Sequence, residues 1–293
     1  MVVSILKAND KTSREFQNMS GQKVLTEEQV NQFDCDGSIN VNGPFTTEEI
    51  EAVSKLLDEM LPFEESKKNN YDATRVTRDI FSKGGKLYEF YNPVLLNIYQ
   101  HPFFERVAQQ LLYTDKITFN GFAMSKTYPF RISKKVSGEH VDSKYRYSEI
   151  IARPRRIGIS SMLYLTDVTP DRAPLKIWPG SHIPIGKHYD EHPELIDTEG
   201  SQRADLPNHL FGDPTVALAK AGQVTFFINS LLHGASENRD IEARKVFYLG
   251  LKPKCLKYKI PKRAKEKTIV GNFFKGMSLR LPMNRRHMVP EII

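Results

Sequence analysis

The apolar residues of this chain change their repeat near residue 115, and that switch limits the folds open to it. Upstream they recur every three or four residues. Ile50, Val53, Leu56, Leu57, Met60 and Leu61 fall on one helical face. The run opens on Thr46-Thr47-Glu48-Glu49, with Thr46 placed to cap and Glu49 to reach back, and Pro62 stops it. Asn92 to Gln100 reads as a second helix. Pro102 to Leu112 reads as a third, through Phe103, Val107 and Leu111. Downstream the period falls to two, in Ile117 to Tyr128, Ile157 to Thr166, Gln223 to Ile228 and Arg244 to Lys252. Turn residues separate these runs at Thr169-Pro170-Asp171, Pro179-Gly180-Ser181 and Ala221-Gly222. Helices first and strands afterwards predict a β-sandwich with a helical buttress. Residues 1–45 read as a polar, partly ordered lead-in, 46–255 as the domain, and 256–293 as a basic extension packed on it.

The net charge of +7 is unevenly spread. From Lys252 to Ile293 there are twelve Lys or Arg and two acids, so the preceding residues are slightly acidic. The basic segment reads as solvated. Its aromatics, Tyr258, Phe273 and Phe274, do not alternate with basic residues, which argues against a nucleic-acid platform. No apolar run approaches the roughly 20 residues that would span a bilayer, and the first residues lack the features of a signal peptide. Cys35 and Cys255 are far apart and form no CxxC pair, so free thiols in a reducing compartment are expected. The expectation is a cytoplasmic protein, a monomer or homodimer.

Histidine carries the chemistry. Two His-x-Asp triplets occur, His140-Val141-Asp142 and His188-Tyr189-Asp190. The chance expectation for such a triplet is about 0.4 in a chain of this composition, so context must separate them. His188-Tyr189-Asp190 lies among polar residues and reads as a surface loop. His140-Val141-Asp142 follows a predicted strand and has an apolar middle residue. In extended backbone its outer side chains share a face and can grip one ion. About 90 residues on, a predicted strand ends at His233 among small neighbours, and Arg244 opens the next strand. Two imidazoles and a carboxylate on a β scaffold, with coordination positions left open, form the facial triad of non-haem iron(II) sites. A zinc hydrolase would use similar ligands but needs no arginine facing the metal.

Tyr164-Leu165-Thr166-Asp167-Val168 and Ala173-Pro174-Leu175-Lys176-Ile177-Trp178-Pro179-Gly180-Ser181-His182 make the pattern more specific. With the triplet before them and His233 and Arg244 after, the chain resembles the phytanoyl-CoA dioxygenase family of iron(II)/2-oxoglutarate oxygenases over about residues 45–255. The resemblance implies a mainly β fold with α elements, a double-stranded β-helix (jelly-roll, cupin-like) core. It implies iron(II) on His140, Asp142 and His233, 2-oxoglutarate with its distal carboxylate on Arg244, and O2 as oxidant. Ser125 and Thr127 are candidates for further cosubstrate contacts. Ala235 stands where the family often has Ser or Thr, so that contact falls to Ser236 or is absent. His182 reads as a loop brace and Trp178 as core. Asp142 argues against the halogenase variant, which lacks the carboxylate.

The substrate does not follow from the motif. Arg146, Arg153, Arg155 and Arg156, with Tyr145 and Tyr147, follow the triplet closely. They predict a small anionic substrate, such as an amino-acid-derived natural-product precursor, undergoing hydroxylation, desaturation or oxidative cyclisation of a kainoid-like kind. In extended backbone Arg153 and Arg155 share a face and Arg156 takes the other. A fatty acyl-CoA hydroxylase and a catalytically silent binding protein are the competing readings.

Overall fold

In the computed structural model, which describes residues 23–63, 75–80, 87–129, 138–196, 201–256 and 264–291, ordered structure begins well before residue 46. Thr26 and Gln29 form a capping box on α1 (Glu27–Asp36), and Gly37 ends it in the left-handed region at φ 77°. Only Phe33 of this helix is fully buried, so it presents no apolar stripe for a sequence pattern to catch. Strand β1 (Ser38–Asn42) follows. Both elements lie in the stretch read as lead-in, of which residues 1–22 fall outside the described ones. The predicted capping box opens α2 (Thr47–Met60): Thr46 Oγ1 accepts from Glu49 N at 3.2 Å and Glu49 Oε2 accepts from Thr46 N at 2.9 Å. Its Ile50, Val53 and Leu57 are buried. Helices α3 (Pro93–Tyr99) and α4 (Pro102–Leu112) each begin on proline, where no amide hydrogen is needed.

The remaining strands in chain order are β2 (Arg75–Asp79), β3 (Ile117–Thr127), β4 (His140–Val141), β5 (Ile159–Tyr164), β6 (Leu175–Ile177), β7 (Ser201–Gln202), β8 (Thr215–Ala217), β9 (Gln223–Ile228), β10 (His233–Ala235) and β11 (Arg244–Pro253). One sheet runs β1-β9-β5-β11-β3-β2 and the other β7-β4-β10-β6-β8, with every pairing antiparallel. The two sheets form the jelly-roll core that the resemblance implies. Alternation sorts the large sheet into two faces. Phe247, Leu249 and Leu251 of β11 join Phe226 and Phe119 in a cluster with Tyr99, Phe104 and Leu111 from the helices. Val246, Met162, Tyr164 and Phe227 face the other way and pack with Leu175 and Ile177 of the small sheet.

Two sequence readings change here. His188-Tyr189-Asp190 is not a loop but part of α6 (His182–Glu191), with Tyr189 buried. The residues around it are polar because that helix shows only one face to the core. The basic C-terminal segment is not merely solvated. Helix α7 (Ala264–Arg280) buries Val270, Phe273, Phe274 and Met277 in the helix-facing core. Beyond it, buried Arg285 pairs with Glu105, and His287 Nε2 lies 2.6 Å from the same carboxylate. Phe273 and Phe274 fail to alternate with basic residues because they are core side chains.

Candidate metal centre

Strands β4 and β10 pair with His233 directly opposite His140. Directly opposed residues share a face, and the two rings lie with centroids 4.5 Å apart. Gly234 makes this approach possible, since a Cβ there would meet Glu139 Cγ at 3.0 Å. Asp142 follows two residues after His140. Its Oδ1 is 3.3 Å from His140 Nε2 and 3.8 Å from His233 Nε2. One ligand atom from each of the three residues lies within 4.8 Å of the other two. His140 Nδ1 is 2.9 Å from Gly138 O, and His233 Nδ1 is 2.9 Å from Leu231 O. A carbonyl oxygen only accepts, so each Nδ1 donates and each Nε2 is the atom turned toward Asp142, where its lone pair is offered once that nitrogen is deprotonated. This is the donor set and the tautomer that a divalent transition metal requires. The alternative triplet cannot do this, because positions i and i+2 of a helix diverge.

Arg244 opens β11 and is 2% exposed. Its guanidinium donates to Ala173 O at 2.6 Å and to Thr127 Oγ1 at 3.4 Å. Its Nε is buried and has no hydrogen-bond partner among the described residues. A buried guanidinium with an open donor suits a carboxylate. Triad and arginine line one cleft of about 730 Å³.

The other predicted residues divide. Tyr145 lines the cleft, its hydroxyl accepts from Gly158 N at 3.0 Å, and burial raises its pKa. Arg156 also lines it. Arg153 and Arg155 do not: both reach Asp34 of α1, and Arg153 lies 3.7 Å over the Tyr113 ring. They fasten the N-terminal helix to the body, away from the cleft that Arg156 lines. Arg146 is exposed at the start of α5 (Tyr147–Ile151), its backbone N donating to Glu149 Oε2 at 3.0 Å, and it is not part of the cleft wall. Thr127 supports Arg244 instead of facing the cleft, and Ser125 is fully buried 3.3 Å from the Thr77 hydroxyl. Ala235, not Ser236, turns into the cleft, because it shares the face of His233. No hydroxyl stands at that position.

Trp178 packs with Val141, Ile185 and Leu232 as core. His182 is 1% exposed at the start of α6, and burial holds its imidazole down to about 4. Several cleft residues were not singled out from sequence: Asn120, Asn229, Tyr248 and Lys252. Lys252 had a signal. It continues the alternate register Arg244, Val246, Tyr248, Gly250 on β11. Burial pushes its ammonium down to about 8.

A jelly roll carrying two histidines and an aspartate beside a buried arginine defines a metal-dependent oxygenase class. A family model, Phytanoyl-CoA dioxygenase (PhyH), matches residues 33–246. No curated protein sequence matches significantly. Among solved structures, the chain is similar to SnoN, a non-heme alpha-ketoglutarate-dependent epimerase from nogalamycin biosynthesis, at 13% identity and TM-score 0.59, over 82% of this chain and 88% of that one. EctD from S. alaskensis, with 2-oxoglutarate and 5-hydroxyectoine, gives 18% identity and TM-score 0.57 over 84% and 82%. HygX from Streptomyces hygroscopicus, with nickel and 2-oxoglutarate bound, gives 15% and 0.56 over 83% and 94%. The chain belongs to the phytanoyl-CoA dioxygenase family and is an oxygenase that depends on iron and 2-oxoglutarate.

Proposed function

We propose that His140, Asp142 and His233 hold iron(II), that Arg244 holds the distal carboxylate of 2-oxoglutarate, and that the substrate is a small anionic metabolite, in keeping with an amino-acid-derived natural-product precursor. The convergence of two Nε2 atoms and one carboxylate beside a buried guanidinium with an open donor carries this reading. When bound, iron(II), 2-oxoglutarate and O2 together supply an oxidant able to break an unactivated C–H bond, with 2-oxoglutarate leaving as succinate and carbon dioxide.

The chain's own residues prepare that chemistry. The Gly138 and Leu231 carbonyls orient both imidazoles so that each turns Nε2 toward Asp142. Ala173 O and Thr127 hold the Arg244 plane still. Arg156 and Lys252 bring cationic groups to the cleft, and a bound anion would stabilise the charged form of Lys252. SnoN, EctD and HygX also act on or bind small molecules by their descriptions, which supports a small-molecule substrate here.

The test is succinate formation from 2-oxoglutarate with added iron(II) and ascorbate, followed by metabolite depletion against extracts. Turnover lost in His140→Ala and Arg244→Ala, with depletion of an anionic compound, is the expected result. No succinate from the wild type, or efficient turnover of an uncharged substrate alone, overturns the reading.

A further inference from the structure

Gly158 lies just before β5, and three polar atoms from three different segments crowd the space beside its Cα. A Cβ at this position would lie 3.1 Å from Tyr145 Oη, 3.3 Å from Asn229 Nδ2 and 3.4 Å from Asn120 Nδ2. Tyr145, Asn229 and Asn120 all line the cleft that holds the triad. Arg156 and Ser160, two residues to either side of Gly158, line it as well.

Tyr145 and Asn229 are each held by hydrogen bonds of their own. Tyr145 Oη accepts from Gly158 N at 3.0 Å, which leaves the hydroxyl hydrogen able to donate elsewhere. Asn229 Oδ1 accepts from Ser160 Oγ at 2.9 Å, and its Nδ2 lies on the side toward Gly158. The Asn229 backbone is pinned on both sides, donating to Gly158 O at 3.2 Å and accepting from Ser143 N at 3.0 Å. Asn120 owes its position to a break in register. Gly250 pairs with Gly121 and Leu251 with Phe119, so Asn120 is the extra residue of a β-bulge. Bulges re-aim side chains in this way next to functional sites.

We propose that these donors form a subsite for a carboxylate of the substrate, with Arg156 supplying countercharge at its rim. The inference rests on the cosubstrate reading of Arg244 given above. Ser160 pairs with Gly250, six residues along β11 from Arg244. That is about 20 Å of strand, too far for one 2-oxoglutarate molecule to occupy both ends. Arg244 therefore serves one end of the cleft and the Gly158 cluster the other. A pocket built of hydrogen-bond donors discriminates sharply against a ligand that cannot satisfy them.

The experiment uses full-length protein loaded with redox-inert Zn(II), saturated with 2-oxoglutarate, and titrated by calorimetry with N-acetyl-L-glutamate or its dimethyl ester. The diacid is expected to bind at least tenfold more tightly than the diester. Gly158→Ala, which puts a methyl group into the cluster, and Asn229→Asp, which keeps the Ser160 contact but repels an anion, should each weaken the diacid at least tenfold. Both should leave 2-oxoglutarate affinity within twofold. Should Gly158→Ala fail to fold, Asn229→Asp alone decides. Failure of the wild type to bind 2-oxoglutarate would refute the cosubstrate reading and the subsite with it. Normal 2-oxoglutarate binding with no diacid binding, equal binding of diacid and diester, or undiminished diacid binding by the folded variants would overturn the subsite alone.

Discussion

Replacing Lys252 with methionine isolates what it costs the fold to keep an ammonium group in the cleft wall. The side chain is 4% exposed, and its Nζ donates to Leu256 O at 2.8 Å. Burial lowers its pKa from the ordinary 10.5 to about 8. That gap corresponds to about 3 kcal/mol, to order of magnitude, of folding energy spent on the charged form. Below pH 8 the lysine is charged in both folded and unfolded chains, and folding carries the whole cost. Between pH 8 and 10.5 the unfolded chain still binds the proton while the native chain releases it, so this contribution to stability rises with pH. Methionine has similar length and no charge, so its variant lacks the dependence. Urea unfolding of both proteins at about pH 7 and about pH 9.5 measures the effect. The stability of the wild type relative to Lys252→Met should improve by about 2 kcal/mol across that interval. A gap that stays constant, or that moves against the wild type, would refute burial as the cause.

Further outcomes are open to direct measurement. Alanine at His140, Asp142 or His233 should each abolish retention of iron(II) on dialysis while leaving the circular dichroism of the fold intact. Arg244→Ala should weaken 2-oxoglutarate by about 2–5 kcal/mol in calorimetry of metal-loaded protein, the range for removing one partner of a buried charge pair. Arg153→Glu should lower the melting temperature, through loss of its Asp34 and Tyr113 contacts, without changing the Michaelis constant for substrate; Arg156→Glu should do the reverse. Phe273→Ala should cost about 3–5 kcal/mol in urea unfolding, as a large core truncation does.

What could be read in the sequence followed from how local its cause was. The capping box at Thr46 and Glu49, the helix over Pro102–Leu112 and the strand over Gln223–Ile228 depend on near neighbours, and the structure reproduces them. The two segments that carry the candidate metal ligands were legible because strand alternation and a strand end are also short-range signals. Distant partners were not legible. Nothing near Arg153 or Arg155 reveals that Asp34, more than a hundred residues upstream, takes both guanidinium groups out of contention for substrate. Helix α7 was read by its charge because its lysines are more conspicuous than the four aromatic and aliphatic residues it buries. Asn120 stayed hidden because a bulge is a property of two strands together, not of one.

The order in which the chain is made has a consequence for α7. Strand β1 must wait for β9, some 185 residues later, before it has a partner. β3 likewise waits for β11. Such distant pairings favour slow, late assembly. Even when both sheets have been synthesised, the hydrophobic surface over Phe90 and Phe122 stays uncovered until Phe273 and Phe274 arrive. Those residues are made after every strand of both sheets, so a growing chain would display an oily patch until they emerge. A premature stop just past β11 would leave the candidate metal ligands and Arg244 encoded and present, yet yield a product prone to capture by chaperones or to aggregation.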